Sequence, residues 1–298
     1  MTLEKFRPLL AASIEDGDPS TLVFPMIGSP KIDGIRIFCH PELGPVTRSL
    51  KPVGNEYVRK FLSSPDYMGF DGEITVGPNC GPNVFANTTG AIRGSSGQPN
   101  FTYWVFDLLK YEIPYQERWQ HLAEAVGAPV EEDRVCLLEY CILHNYEDLL
   151  VYEAQCLERG FEGIMVRNPM GRYKFGRSTF KEQILIKVKR FKDDEATIIG
   201  FAPLERNNNV QVRNLLGLAE RSSHKAGRVA DNLLGTLMVD HPSFGTFGIG
   251  SGFDVTTRQE IWEKRDAYLG RRVTFKYQPI GTVDKPRFPI FMRFRPDE

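Results

Sequence analysis

The pattern of secondary-structure signals changes once along this chain, near KRFKDDE around Lys192, and that change divides the fold in two. Upstream, strands and helices interleave. LVFPMIGSPKI and GIRIFCH read as two strands about a turn, and FDGEITV and FTYWVFDLL, rich in aromatic and β-branched residues, as two more. GNEYVRKFL predicts a short helix and YQERWQHLAEAVG a longer one closed by Gly127. YEDLLVYEAQCLERG predicts another, closed by Gly160, with Leu149, Leu150, Cys156 and Leu157 on one side. FEGIMVR and QILIKVKRF return to strand. This is not a regular βαβ array, so the expectation is an α+β domain built on antiparallel sheets and helices, residues 1–189. Downstream, EATIIGFA, GTLMVD, GTFGIGSG, RRVTFKYQ and FPIFMRFR predict five strands, with one helix, TRQEIWEKRDAYLG, between the third and fourth. That is the element order of an all-β OB-fold barrel, a common nucleic-acid platform, here residues 190–298.

Between the first two strands of this second domain lie 26 residues, 206–231, too long for an ordinary hairpin loop and therefore functional or disordered. They hold Arg206, Arg213, Arg221, Lys225 and Arg228 against Glu220 and Asp231. Net charge is −1, yet residues 101–150 carry ten Asp/Glu against three Lys/Arg and residues 151–189 eight Lys/Arg against four Asp/Glu. A neutral chain can thus present one basic face to a nucleic acid, although a solvated acidic face accounts for the same counts. No apolar run approaches a membrane span, and acids follow the N-terminus too soon for a signal peptide. Five cysteines without a CxxC pair argue against a zinc site or disulfide framework and for a reducing, intracellular setting.

The usual phosphate-handling motifs are absent: GAIRGSSG lacks the Walker lysine and GTFGIGSGF does not fit a dinucleotide fingerprint. The sharp signal is Lys31-Ile32-Asp33-Gly34-Ile35-Arg36, where Asp-Gly turns the chain between two strands and brings the lysine and arginine to one pocket. Taken singly, such a lysine is a solvated surface charge. Further segments repeat the theme of a charge leaving a strand end: TRSLK (47–51), DGE (71–73), Phe106-Asp107, EGIMVR (162–167) and KVK (187–189). Alternation puts Lys187 and Lys189 on one face, and two adjacent cations need an anion such as phosphate. Glu73 and Glu162 supply hard oxygens suited to Mg²⁺.

In this order and spacing, these segments resemble the covalent nucleotidyltransferases, and among them the ATP-dependent DNA ligases of the minimal Chlorella-virus type. KIDGIR resembles the KxDGxR nucleophile element, TRSLK the SRxxK element with Thr47 for serine, and FDGEI, YWVFDLL, EGIMVR and ILIKVK the next four. PRFPIFMRFRPDE resembles the last. The likeness runs from RPLLAA through YKFGRST, KRFKDDEATII and RSSHKAGRV to the end, and so covers nearly the whole chain.

The resemblance implies nick sealing in duplex DNA with ATP and Mg²⁺ (or Mn²⁺), in repair, replication or recombination, through lysyl-AMP on Lys31. It implies that Glu162 binds metal and Glu73 contacts ribose or metal. Phe106 stacks on adenine, Lys187 and Lys189 hold phosphate, and Asp33 and Arg36 serve later steps. Arg287 and Phe288 orient the leaving pyrophosphate. Arg36, Arg48, Lys51 and Arg177 contact DNA, Arg48 at the nick phosphate. The basic insertion corresponds to a latch that closes around the duplex, adding Arg206, Arg213, Arg221, Lys225 and Arg228, and is expected to be mobile without DNA. A monomer of viral, phage or mobile-element origin is expected, with no membrane partner. An mRNA-capping guanylyltransferase shares the lysine element and an OB domain, an RNA ligase shares the lysine element, and a catalytically inactive DNA-binding relative is the reading from another class.

Overall fold

The computed structural model describes residues 6–110, 112–127, 134–278 and 284–295. Three acids of the acidic stretch, Glu131, Glu132 and Asp133, and the last residues of the terminal motif, 296–298, lie outside the described residues. Two compact units form, Met1–Lys189 and Arg190–Glu298.

In chain order the first unit contains β1 (Ala12–Ser13), β2 (Met26–Pro30), β3 (Ile35–His40), β4 (Gly44–Thr47), α1 (Glu56–Leu62), β5 (Phe70–Val76), α2 (Val84–Arg93) and β6 (Phe101–Leu108). Then follow α3 (Tyr115–Val126), β7 (Val135–Leu137), β8 (Cys141–Leu143), α4 (Tyr146–Glu158), β9 (Ile164–Arg167) and β10 (Leu185–Val188). One sheet has the order β1-β10-β9-β2-β8 and the other β4-β3-β5-β6-β7. Pairing is antiparallel except at β1·β10 and β6·β7, where the sequence pattern gave no sign of a parallel partner. All five residues of β2 are buried, the polar Ser29 among them. β6 alternates: Phe101, Tyr103 and Val105 enter the core of their own sheet with Ile37, Val58, Leu62, Ile74 and Leu122. Trp104 and Phe106, on the opposite face, pack against the core of the other sheet, beside Ile164, Val166, Ile186 and Val188. The two sheets therefore face each other and pack through these side chains.

Two helices differ from expectation. In α4 the buried stripe is Leu149, Glu153 and Cys156, whereas Leu150 is 38% exposed, because a 3.6-residue period turns position 150 away from 149 and 153. Helix α2 is not anticipated by local propensity, since VFANTTGAIR carries a glycine, an asparagine, two threonines and a β-branched start. Tertiary packing supplies what propensity lacks: Val84, Thr88 and Ile92 form one buried face, and Thr88 Oγ1 accepts the amide of Val76 at the end of β5.

The second unit contains β11 (Lys192–Asn207), β12 (Gln211–Arg213), β13 (Ala219–Arg221), β14 (Arg228–His241), β15 (Gly245–Ile249), α5 (Val255–Glu263), α6 (Arg265–Tyr268), β16 (Arg272–Gln278) and β17 (Arg287–Phe294). The sheet order is β15-β14-β11-β16-β17, and a bridge between Ser251 and Ile290 ties the far edges together into a barrel. Ile198, Leu237, Val239, Ile249, Ile261, Val273 and Phe275 fill it. The expected single helix is two, α5 and α6, broken at Lys264.

The insertion is not structureless. β11 and β14 run on as a long hairpin that pairs as far as Asn207 with Arg228, and β12 and β13 form a second, smaller hairpin beyond it. The expected shortage of acids is also corrected for two cations. Arg206 pairs with Asp231 and Arg228 with Glu205, a residue just outside the stretch counted from the sequence. The guanidinium of Arg221 donates to the carbonyl of Asn209 and that of Arg213 to Gly217. Among the described residues, no helix is long and apolar enough to cross a membrane.

Candidate active site

Lys31 leaves the end of β2 and is fixed by main chain before its side chain is considered. Its amide donates to the carbonyl of Gly163 at 2.9 Å, and its carbonyl accepts the amide of Glu162 at 3.2 Å, continuing the β2·β9 ladder by one rung. Gly163 has φ +144°, and a Cβ there would lie 2.2 Å from the carbonyl oxygen of Val188, so only glycine lets β10 approach this closely. The ladder thereby sets Glu162 beside Lys31, and the lysine ammonium donates to Glu162 Oε2. The other carboxylate oxygen, Oε1, accepts from Lys189 Nζ at 3.3 Å. Glu162 is buried, so one carboxylate holds two ammonium groups in a largely dry setting.

Lys187 shares the face of Lys189, but no carboxylate pairs with it among the described residues. Burial lowers its pKa, and Lys189, Arg177 and Lys31 lower it further. Arg48 stands similarly: burial lowers its pKa, with Arg177 and Arg36 adding to the effect, and no described group bonds to its guanidinium. Arg177 is the link between the two, its guanidinium held on the carbonyl of Ala11 at 2.6 Å. Among the described residues no carboxylate pairs with Lys187 or Arg48, although Asp16 offsets part of the charge on Lys187, and such a gathering of cations is one that a phosphate would neutralise. Lys51 is exposed at the far end of the same turn as Arg48.

Arg36 and Glu73 stand opposite each other on β3 and β5. The Arg36 guanidinium is fully engaged: Nε donates to Asp71 Oδ1 at 2.8 Å, Nη2 to Asp71 Oδ2 and Nη1 to the carbonyl of Leu9 at 2.6 Å. Tyr173, unremarked in the sequence reading, donates its hydroxyl to Asp71 at 3.0 Å and accepts the amide of Leu9 at 3.2 Å. Arg36 thus works as a clamp on the N-terminal segment rather than as a free hand for DNA. Glu73, in contrast, makes no hydrogen bond or ion pair among the described residues. Burial pushes its carboxyl up to about 7, against the pull of Lys31 and Arg36. Asp33 is half-buried in the turn after Lys31.

Phe106 is the extra residue of a β-bulge: Asp71 faces Asp107 and Gly72 faces Val105, leaving Phe106 between. The bulge re-aims its side chain. Its ring lies 5.6 Å from the Arg36 guanidinium and 5.4 Å from that of Arg167. Behind it, Asp107 accepts from Arg118 Nε at 2.7 Å and Arg167 Nη1 at 2.6 Å, and these two arginines outweigh burial to hold its carboxyl below the usual range. Arg118 is fully buried, and no motif in the sequence sets it apart. Arg287 and Phe288 belong to the second unit, where the guanidinium lies 5.0 Å from the ring and Phe288 takes φ +50°. Among the described residues no three His, Cys, Asp or Glu side chains gather for a metal.

Residues 8–189 match the family described as ATP dependent DNA ligase domain, and residues 226–295 the DNA ligase OB-like domain. The chain belongs to the ATP-dependent DNA ligases. A DNA ligase of Haemophilus influenzae is 26% identical over 243 residues, covering 78% of this ligase and 76% of its relative. The crystal structure of Chlorella virus DNA ligase-adenylate is 34% identical, covers 99% of both chains and superposes with a TM-score of 0.54. A Lig E DNA ligase, 22% identical and covering 97% and 99% of the two chains, shares the fold with a TM-score of 0.69.

The raised Glu73 carboxyl makes stability fall with pH. Unfolded, it ionises near its ordinary value of 4.5; folded, it does so at about 7. Between those values the folded ligase keeps a proton that the unfolded chain has released, and the penalty is complete above the folded value. Replacing Glu73→Gln should therefore raise Tm more near pH 8 than near pH 5, measured by thermal unfolding in EDTA. Equal shifts at both would contradict the assignment.

Proposed function

We propose that this ligase uses Lys31 as its nucleophile, with Glu162, Lys189 and Lys187 around it. The single observation that carries this reading is the Lys31–Glu162–Lys189 unit beside Lys187, which has no paired carboxylate among the described residues. Lys31 Nζ, having given up a proton, attacks the α-phosphorus of ATP. The N–P bond forms, the bond to the β-phosphate bridging oxygen breaks, and pyrophosphate leaves with that electron pair. An oxygen of the nick 5′-phosphate then displaces the lysine from phosphorus, and finally the 3′-hydroxyl attacks the 5′-phosphate and AMP departs. Lys187 and Lys189 offset charge growing on the α-phosphate, an effect worth about 10²–10³ in rate per contact at comparable sites. Phe106 offers the stacking face for adenine. Arg48 and Arg177 receive the nick 5′-phosphate.

Glu73 and Glu162 are the residues that would hold a divalent cation such as Mg²⁺. Two carboxylates suffice, because Mg²⁺ keeps waters and takes its remaining ligands from substrate phosphates. Bound there, it would supply positive potential to the ATP phosphates. Arg287 and Phe288 serve the leaving pyrophosphate, and Lys51 the DNA backbone. The hairpin of residues 206–231 grips the duplex, led by Arg213, Arg221 and Lys225. Arg206 and Arg228 exchange exposed intramolecular pairs, which are weak, for phosphate contacts. Its cysteines are all free thiols, which suits an intracellular setting, and its task lies in DNA repair, replication or recombination.

The test separates the steps. Lys31→Ala should fail to seal a 5′-phosphate nick with ATP yet still seal a nick supplied with its AMP already attached. Sealing of both substrates, or preference for GTP over ATP, would contradict the reading. For the hairpin, deletion of residues 207–229 across a Gly-Ser bridge should flatten the salt dependence of nick binding by about two to four log units per decade of salt, at about 0.9 per phosphate contact. Unchanged affinity and slope would remove the hairpin from DNA binding.

A further inference from the structure

Arg48 poses a physical question. It reaches the surface, Arg177 and Arg36 add their like charge to it, and no described side chain bonds to its guanidinium. With no paired counter-ion among the described residues, the backbone around it decides where it stands.

The backbone around it answers. β4 ends at Thr47, and the chain returns at once. The Leu50 amide donates to the carbonyl of Thr47 at 2.8 Å and the Thr47 amide to the carbonyl of Lys51 at 2.8 Å. Val46 pairs with Pro52 one step further out. Arg48, Ser49 and Leu50 are thus a three-residue hairpin loop, a type in which the third residue takes a left-handed conformation normally filled by glycine. Here that residue is leucine, with φ +59°. A bulky side chain in that region is strained, and such strain persists only where the surroundings over-determine it. What over-determines it is burial: Leu50 is 1% exposed, whereas Arg48 and Ser49 beside it reach the surface.

We infer that Leu50 is a positioning residue for Arg48, its buried side chain locking the strained loop so that the guanidinium stays in the cation cluster. This rests on the reading of Arg48 as the nick-phosphate contact. A glycine at position 50 would adopt the same φ more easily but would leave the loop free to swing away from Arg177 and Arg36. Leucine gives up conformational ease for a fixed guanidinium. The consequence is specific to one step: formation of lysyl-AMP needs ATP alone, whereas transfer of AMP to DNA needs the nick phosphate held.

The experiment uses the full chain. Leu50→Gly, Leu50→Met, Arg48→Ala and the double variant Leu50→Gly/Arg48→Ala are compared in two single-turnover assays. One follows lysyl-AMP formation from ATP, and the other AMP transfer from the pre-formed adenylate to a 5′-phosphate nick. Leu50→Gly should form adenylate within about twofold of the unaltered ligase but transfer AMP about tenfold or more slowly, as displacement of a binding group by an ångström costs up to about a hundredfold. Leu50→Met should restore transfer. The double variant should be no slower than Arg48→Ala. If Leu50→Gly does not fold, Leu50→Ala takes its place in the same comparison. Equal slowing of both steps, unchanged transfer, or losses that multiply in the double variant would each overturn the inference. Wild-type transfer by Arg48→Ala alone would instead refute the role given to Arg48, a separate failure.

Discussion

One buried carboxylate, Glu162, shared by two ammonium groups, is the interaction on which the proposed catalytic unit depends. Lys31 and Lys189 come from different strands and would repel each other at this range without it. The sheet ensures the meeting: Lys31 and Glu162 are joined by main-chain bonds before their side chains touch, and Gly163 lets β10 bring Lys189 close. Removing one partner of such a buried set leaves charge uncompensated, which is far costlier than losing an exposed pair.

The neighbouring charged groups follow a different rule, charge without a paired partner among the described residues. Lys187 and Arg48 lack paired carboxylates among the described residues, and Glu73 lacks a paired cation. Folding tolerates these costs because neighbouring groups are saturated: Arg36 by Asp71 and Leu9, and Asp107 by Arg118 and Arg167. Satisfied networks of hydrogen bonds and ion pairs stand beside groups that have none among the described residues. Such uneven satisfaction distinguishes a site from a core, where orphaned charge has no use.

Much of this was legible in the sequence, and the gaps have physical causes. KIDGIR showed its strand–turn–strand form because Asp-Gly is a strong local turn signal, and EGIMVR and ILIKVK because β-branched runs mark strands. The five OB strands and their order were visible for the same reason. Local signals carry no pairing information, so the parallel contacts β1·β10 and β6·β7 were not readable, nor was α2, whose stability comes from packing on β5. Arg36 looked like a reactive partner of Lys31 because both flank one turn; only the fold shows that Asp71 and Leu9 occupy it, with Tyr173 bonded to both of those partners. The hairpin of 206–231 was missed because its strands continue β11 and β14 through polar sequence, where hydrophobic alternation is weak.

The central claim is that this arrangement makes Lys31 the residue that takes AMP. The most direct measurement is peptide mapping by mass spectrometry after incubation of the unaltered ligase with ATP and Mg²⁺. The account predicts a single AMP on the peptide containing Lys31, with fragment ions placing it on that side chain. AMP on Lys187 or Lys189, or no covalent AMP from a protein that still seals nicks, would contradict it.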